Sequence, residues 1–137
     1  MLRKDAKVEL LRTVPLFHGL SKRDLQEIAS LADEVDLPAG RTLTTEGESG
    51  REFLVVVDGA AEVRRGGRKI NTLSSGDFLG EIALVTGGPR TATVTTVRPT
   101  RVLVITAQAF RRLLRTKAGL GLRILEAMAV RLPRERV

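Results

Sequence analysis

The sequence contains no cysteine, no tryptophan and no tyrosine, and its 137 residues include one histidine and four phenylalanines. Without cysteine there is no disulfide, no thiolate nucleophile and no thiolate metal ligand. The lone His18 excludes a multi-histidine metal centre, and no nucleophile, base and orienting acid combine into a triad around it. His18 therefore reads as a structural or surface residue. No apolar run reaches the roughly 18 residues that a membrane helix needs, and no secretory leader opens the chain. The expectation is a cytoplasmic protein that is no enzyme and has no metal and no cofactor. Scarce aromatics also remove the stacking platforms on which single-stranded nucleic acid is held.

What remains is ordinary for a globular chain: 42% hydrophobic residues, enough length for one real core, and a formal net charge of +7. The charge is uneven. Residues 1–36 hold six Lys/Arg against seven Asp/Glu, and residues 37–100 hold eight against seven. Residues 101–137 hold nine against two. A basic end of this kind suits an acidic partner or an anionic surface, or is simply a solvated helix face.

Three patterns follow one another along the chain. Leu2, Ala6, Leu10 and Val14 recur at helical spacing up to Pro15, and Ser21-Lys22-Arg23-Asp24 opens a second helix that buries Leu25, Ile28, Ala29 and Leu31. From Val35 to Ile105 short β-rich runs alternate with turn signals such as Pro38-Ala39-Gly40, Asp58-Gly59 and Arg65-Gly66-Gly67. Strands are expected at Val35–Leu37, Thr42–Thr45, Glu52–Val57, Ala60–Arg65, Lys69–Leu73, Thr93–Val97 and Arg101–Ile105, with one helical interruption from Gly80 to about Thr86. Phe110, Leu113 and Leu114 then share a face of a third helix. Gly119 and Gly121 loosen a junction, and Leu120, Ile124, Leu125, Met128 and Leu132 follow in a last helix. The fold expected is mainly β with flanking helices: a small antiparallel β-barrel or jelly roll (a double-stranded β-helix) with N-terminal helices and two C-terminal helices. One domain is expected, 1–137, made of an N-terminal helical stretch over residues 1–34, a barrel over 35–106 and C-terminal helices over 107–132.

The stretch Gly80-Glu81-Ile82-Ala83-Leu84, followed by Pro89-Arg90-Thr91-Ala92-Thr93-Val94, carries the chemistry. A helix start offers free N–H groups and a positive dipole end to a phosphate. Arg90 can clamp the same phosphate through two parallel hydrogen bonds. Glu81, acceptor-only when ionised, suits a ribose hydroxyl, although alone it would equally complement the dipole of its own helix. Gly80 lets the backbone approach closely.

These residues, and the nine-residue step from Glu81 to Arg90, resemble the phosphate-binding cassette of cyclic nucleotide-binding domains, the family of catabolite activators and of protein kinase A regulatory subunits. Pro15-Leu16-Phe17, Glu46-Gly47-Glu48, Val57-Asp58-Gly59 and Gly76-Asp77-Phe78 extend the resemblance over most of the chain. It implies a cassette at 80–92, with Gly80, Glu81, Ile82, Ala83, Arg90, Thr91 and Ala92 at the ligand, cAMP or cGMP. Arg90 and the N–H of Ala83 would meet the cyclic phosphate. Thr91 stands where family members contact the purine, and leaves the choice of base open with a lean to cAMP. Leu54, Val56, Leu73, Phe78 and Leu79 are candidates for an apolar wall, and Ile124 and Met128 for a lid that lacks the family's usual aromatic. Only five residues follow Leu132, so no helix-turn-helix and no direct DNA binding are expected; a stand-alone domain is the favoured reading, and a piece cut from a channel, kinase or transcription factor is the open alternative. It would act on an unknown protein effector, with a homodimer as an open reading. A second reading is an interaction module of the same fold that docks an acidic partner through its basic C-terminal helix and binds no nucleotide. The third, a metal enzyme of the cupin kind, fails on the single histidine.

Overall fold

A computed structural model describes residues 3–14, 17–80 and 87–131. Two helices come first, α1 (Lys4–Arg12) and α2 (Lys22–Leu31). Eight strands follow: β1 (Asp33–Leu37), β2 (Thr42–Thr44), β3 (Glu52–Asp58), β4 (Ala60–Arg65), β5 (Arg68–Ser74), β6 (Phe78–Leu79), β7 (Thr93–Thr96) and β8 (Thr100–Thr106). Two helices close the described region, α3 (Ala107–Thr116) and α4 (Ala118–Arg131). The helical interruption expected after Gly80 lies outside the described residues.

The strands form two antiparallel four-stranded sheets, ordered β1-β8-β3-β6 and β2-β7-β4-β5. Leu54, Val56, Ala61, Leu73, Leu79, Val94 and Val102 fill the space between the sheets. This is the jelly roll expected from the sequence. The second face of the first sheet is covered by helices, where Phe53, Val55, Leu103 and Ile105 join Val8, Leu11, Phe17, Leu25, Ile28, Phe110, Leu113 and Leu120. Burial on both faces explains why β3 reads Phe-Leu-Val-Val-Val and not as an alternation. Phe53 is the keystone of this second core. Its ring stacks on Phe110 at 4.5 Å between centroids and tilts against Phe78 at 5.6 Å.

Local signals were mostly honoured. Ser21 caps α2 by accepting from the Asp24 N–H at 3.1 Å, and Thr106 caps α3 through the Ala109 N–H at 3.2 Å. Three expectations need correction. The inner face of α1 is Val8 and Leu11, continued just past its end by the expected Val14, while Ala6 and Leu10 are only half-buried. The pattern at i, i+3 and i+6 won because Val8 and Leu11 reach the Phe17–Leu25 side of the core. Strand β1 begins at Asp33, two residues before the expected start, because β8 is long enough to pair with it there. Gly119 and Gly121 lie inside α4; the break falls at Lys117, which leaves helical geometry at φ −123° and ψ 79°.

Lys117 is fixed at that break by two acids of α2. Its Nζ lies 2.6 Å from Asp24 Oδ1 and 3.0 Å from Glu27 Oε2, tying the C-terminal helices to the N-terminal ones. The hydrogen bond from Lys117 holds the Asp24 carboxyl below its usual range, and the bond to Asp24 holds the Lys117 ammonium above its own.

Two outcomes follow for stability. Phe53→Ala should cost about 3–5 kcal/mol by urea titration, and a loss under about 1 kcal/mol would contradict its keystone role. The Asp24 contribution is present above the ordinary carboxylate value, about 3.9, and disappears as pH falls through the lowered folded value. The Lys117 contribution is present below the ordinary lysine value, about 10.4, and disappears as pH rises through the raised folded one. The melting-temperature gap between the parent and Lys117→Met should therefore be steady at neutral pH and close below about pH 4. A gap independent of pH down to about pH 2 would sink this tie.

Candidate functional site

Arg90 stands between the Gly87-Gly88-Pro89 loop and β7, and only 7% of it is exposed. Its Nη2 donates to the carbonyl oxygen of Glu52 at 2.7 Å. Two glycines make the room. A Cβ on Gly50 would overlap Nε and Cζ of Arg90, and a Cβ on Gly80 would overlap Nη1 and the Glu52 carbonyl. Gly80 also sits at φ +97°, where L side chains are strained. A guanidinium keeps its charge when buried. The Glu52 carbonyl fixes the plane of this guanidinium, and its fork geometry suits a phosphate.

The backbone of Arg90 is held as firmly as its side chain. Its N–H donates to the Glu48 carbonyl at 2.8 Å, and its carbonyl accepts from the Gly47 N–H at 2.9 Å. Glu46-Gly47-Glu48 thus has a physical role as the turn that docks the arginine. Beside it opens a groove of about 320 Å³ lined by Arg90, Arg51, Glu48, Glu52, Gly50, Ser49, Leu43 and Thr42, Thr44 and Thr45. Hydroxyls, two carboxylates and two guanidinium groups make it a polar cleft that can bind a small anion with donor groups but offers no assembled nucleophile and base. Among the described residues no group of three or more His, Asp or Glu is placed to hold a metal ion, and His18 is exposed.

The structure brings Gly80 and Arg90 together. Ala92 is buried and its carbonyl accepts from Thr44 Oγ1 at 3.0 Å. Thr91 is exposed, and its carbonyl accepts from Arg65 Nε at 2.9 Å. Glu81, Ile82 and Ala83 lie outside the described residues, as do the side chains of Ile124 and Met128. Of the expected wall, Leu54, Val56, Leu73 and Leu79 share the cluster between the sheets. Phe78 departs from it. It packs with Phe53 on the helix-covered side, because adjacent residues of β6 point to opposite faces. The sequence reading gave no site role to Glu52, Gly50 or Arg65, and took Glu46 only as part of the Glu46-Gly47-Glu48 resemblance. Glu52 acts through its backbone carbonyl, which any residue supplies, so no side-chain pattern could reveal it. Gly50, close to the start of a strand, was the one available signal.

A family model described as "Cyclic nucleotide-binding domain" matches residues 34–117. The cAMP-dependent protein kinase regulatory subunit of Mycosarcoma maydis is 37% identical over 127 residues, covering 86% of this chain and 24% of that protein. This chain therefore spans about a quarter of that relative. The solved catabolite activator protein of Thermus thermophilus superposes with a TM-score of 0.79 at 26% identity, covering 85% of this chain and 57% of that one. A cyclic nucleotide-binding domain from Methylobacillus flagellatus superposes with a TM-score of 0.79 at 25% identity, covering 93% and 77%. The first of these relatives is named as a regulatory subunit and the second as an activator. No helix among the described residues is long and apolar enough to cross a membrane.

Gly50→Ala should force the Arg90 side chain out of its slot, at about 1–3 kcal/mol of stability as for other overpacked sites. Peptide mapping after phenylglyoxal treatment checks this: Arg90 should be protected in the parent and modified in the variant. Equal protection in both would show that the slot does not fix the guanidinium.

Proposed function

The chain belongs to the cyclic nucleotide-binding domain family, and from this we propose that it is an allosteric sensor that binds a cyclic nucleotide, cAMP in preference to cGMP. The observation that carries the proposal is the buried, pre-oriented guanidinium of Arg90 in its glycine-lined slot beside a polar groove. The cyclic phosphate would take the outer donors of this fork together with the N–H of Ala83. Glu81 would accept from the ribose hydroxyl, and Gly80 and Ile82 would give the backbone of the same seat. Leu54, Val56, Leu73 and Leu79 would line the apolar side, and Ile124 and Met128 would close over the base. The lean to cAMP is supported by relatives named as cAMP-dependent and cAMP-activated. Thr91, exposed beside Arg90, would face the purine.

In this reading residues 1–137 act as one unit, and ligand contacts shift the position of the C-terminal helices. A ligand can do so only through its differential affinity for the two positions. The output is an unidentified protein effector, in a cytoplasmic setting. A homodimer belongs to the proposal, supported by the exposed Leu122 and Leu125 of α4.

The test is a thermal melt with cAMP, cGMP and their linear monophosphates. A cyclic ligand at about 100 times its dissociation constant adds roughly 2.7 kcal/mol, a rise of about 8–11 °C at this size. The rise should be greater with cAMP than with cGMP at equal concentration. Arg90→Ala should lose it, since truncating one partner of a buried charged pair costs about 2–5 kcal/mol of binding. No rise with any cyclic nucleotide at millimolar concentration would overturn the proposal.

A further inference from the structure

Two turns far apart in sequence converge on the segment that carries Arg90, and one exposed carboxylate joins them. The first is the 46–48 turn, which exchanges two backbone hydrogen bonds with Arg90. Its first residue, Glu46, also donates its N–H to Thr93 Oγ1 at 3.0 Å. The second is the β4–β5 turn at Arg65–Gly66, from which Arg65 Nε donates to the Thr91 carbonyl. The carboxylate of Glu46 spans the two: its Oε1 accepts from the Gly66 N–H at 2.9 Å. A single side chain thus holds the turn whose arginine grips the residue next to Arg90, while its own turn grips Arg90 itself.

The arrangement has the marks of a positioning device and not of a core element. Glu46, Arg65, Gly66 and Thr91 are all exposed. Exposed hydrogen bonds contribute little to global stability, and their effect here is local. Every carbonyl from Arg90 to Ala92 has a donor from outside its own segment, namely the Gly47 N–H, Arg65 Nε and Thr44 Oγ1. A shift of the segment along the 46–48 turn would break its bonds to Gly47 and Glu48, and a shift away from the β4–β5 turn would break the Arg65 bond to Thr91. A site that must hold a phosphate needs its arginine placed to within about half an ångström.

We propose that Glu46 is a positioning residue for the anion site. It fastens the β4–β5 turn, and through Arg65, to the Arg90 segment, so that the guanidinium is pre-placed for a phosphate. This rests on the reading of Arg90 as the phosphate contact. Glu46 touches no ligand; it acts through the two turns. A glutamine keeps the acceptor oxygen that Gly66 needs, whereas alanine removes it, so the role depends on the acceptor and not on the charge.

The experiment compares the full chain with Glu46→Ala, Glu46→Gln and Arg65→Met. Cyclic AMP affinity is measured by calorimetry, and amide hydrogen exchange is followed at Gly47, Gly66 and Arg90. Glu46→Ala should weaken cAMP binding about 5-fold, the size of one lost hydrogen bond. It should also speed exchange at the Gly47, Gly66 and Arg90 amides while moving the melting temperature by no more than about 2 °C. Glu46→Gln should restore both affinity and protection, and Arg65→Met should reproduce the affinity loss with Gly66 still protected. Parent-like affinity in Glu46→Ala, or failure of Glu46→Gln to rescue, would overturn the inference while leaving the cyclic-nucleotide reading intact. Should the parent itself bind no cAMP, that reading fails instead, and the exchange rates decide the brace alone. Unchanged protection of Arg90 in Glu46→Ala would then dismiss it.

Discussion

The hydrogen bond from Arg90 to the Glu52 carbonyl is the contact on which the arrangement around the groove depends. It joins residues 38 apart in sequence and fixes a permanent cation at the first residue of β3. Holding a charge there imposes conditions on its neighbours. Positions 50 and 80 must lack a Cβ, Gly80 must take a positive φ, and the 46–48 turn must meet Arg90 with two backbone hydrogen bonds. None of these features is a hydrophobic requirement. They make sense as conditions for keeping a guanidinium both buried and aimed.

The same end of β3 anchors the helices. Glu52 pairs with Thr106 at the end of β8, and the Arg51 carbonyl accepts from the Ala107 N–H, the first residue of α3, at 2.6 Å. The residue that orients Arg90 is therefore the neighbour of the one that starts the C-terminal helices. Those helices are fixed at their break by Lys117 to α2 and by Phe110 to Phe53. Charge and apolar packing divide the work. The rings supply most of the attachment, while the ion pair, partly exposed and screened, adds a smaller tie at the break between α3 and α4.

Much of the architecture could be read from the chain because its signals are local. Glycine-bounded β runs, Ser21 before α2 and the switch to helical spacing after Ile105 all act within a few residues, and the expected strands came out within one or two residues of their observed bounds. Gly80 and Arg90 were legible for the same reason: their chemistry is written in their own side chains or in the lack of one. What escaped was non-local or written in the backbone. Glu52 contributes a carbonyl and Glu46 reaches a turn 20 residues away, and the residue types alone show neither role. Phe78 was misplaced by one step of strand parity, which moves a side chain to the opposite face of a sheet. The face of α1 was misread because Ala6 and Leu10 fit a helical stripe as well as Val8 and Leu11 do, and only the tertiary core chooses between them.

The central claim is that Arg90 is set in place to receive a phosphate. The most direct measurement is a titration followed by nitrogen-15 NMR of the Arg90 side-chain Nε–H. On adding cAMP this resonance should move and its exchange with water should slow, while adenosine, which has no phosphate, should leave it unchanged. An Nε–H signal indifferent to saturating cAMP, while other residues of the domain respond, would show that the phosphate is held elsewhere and contradict the account.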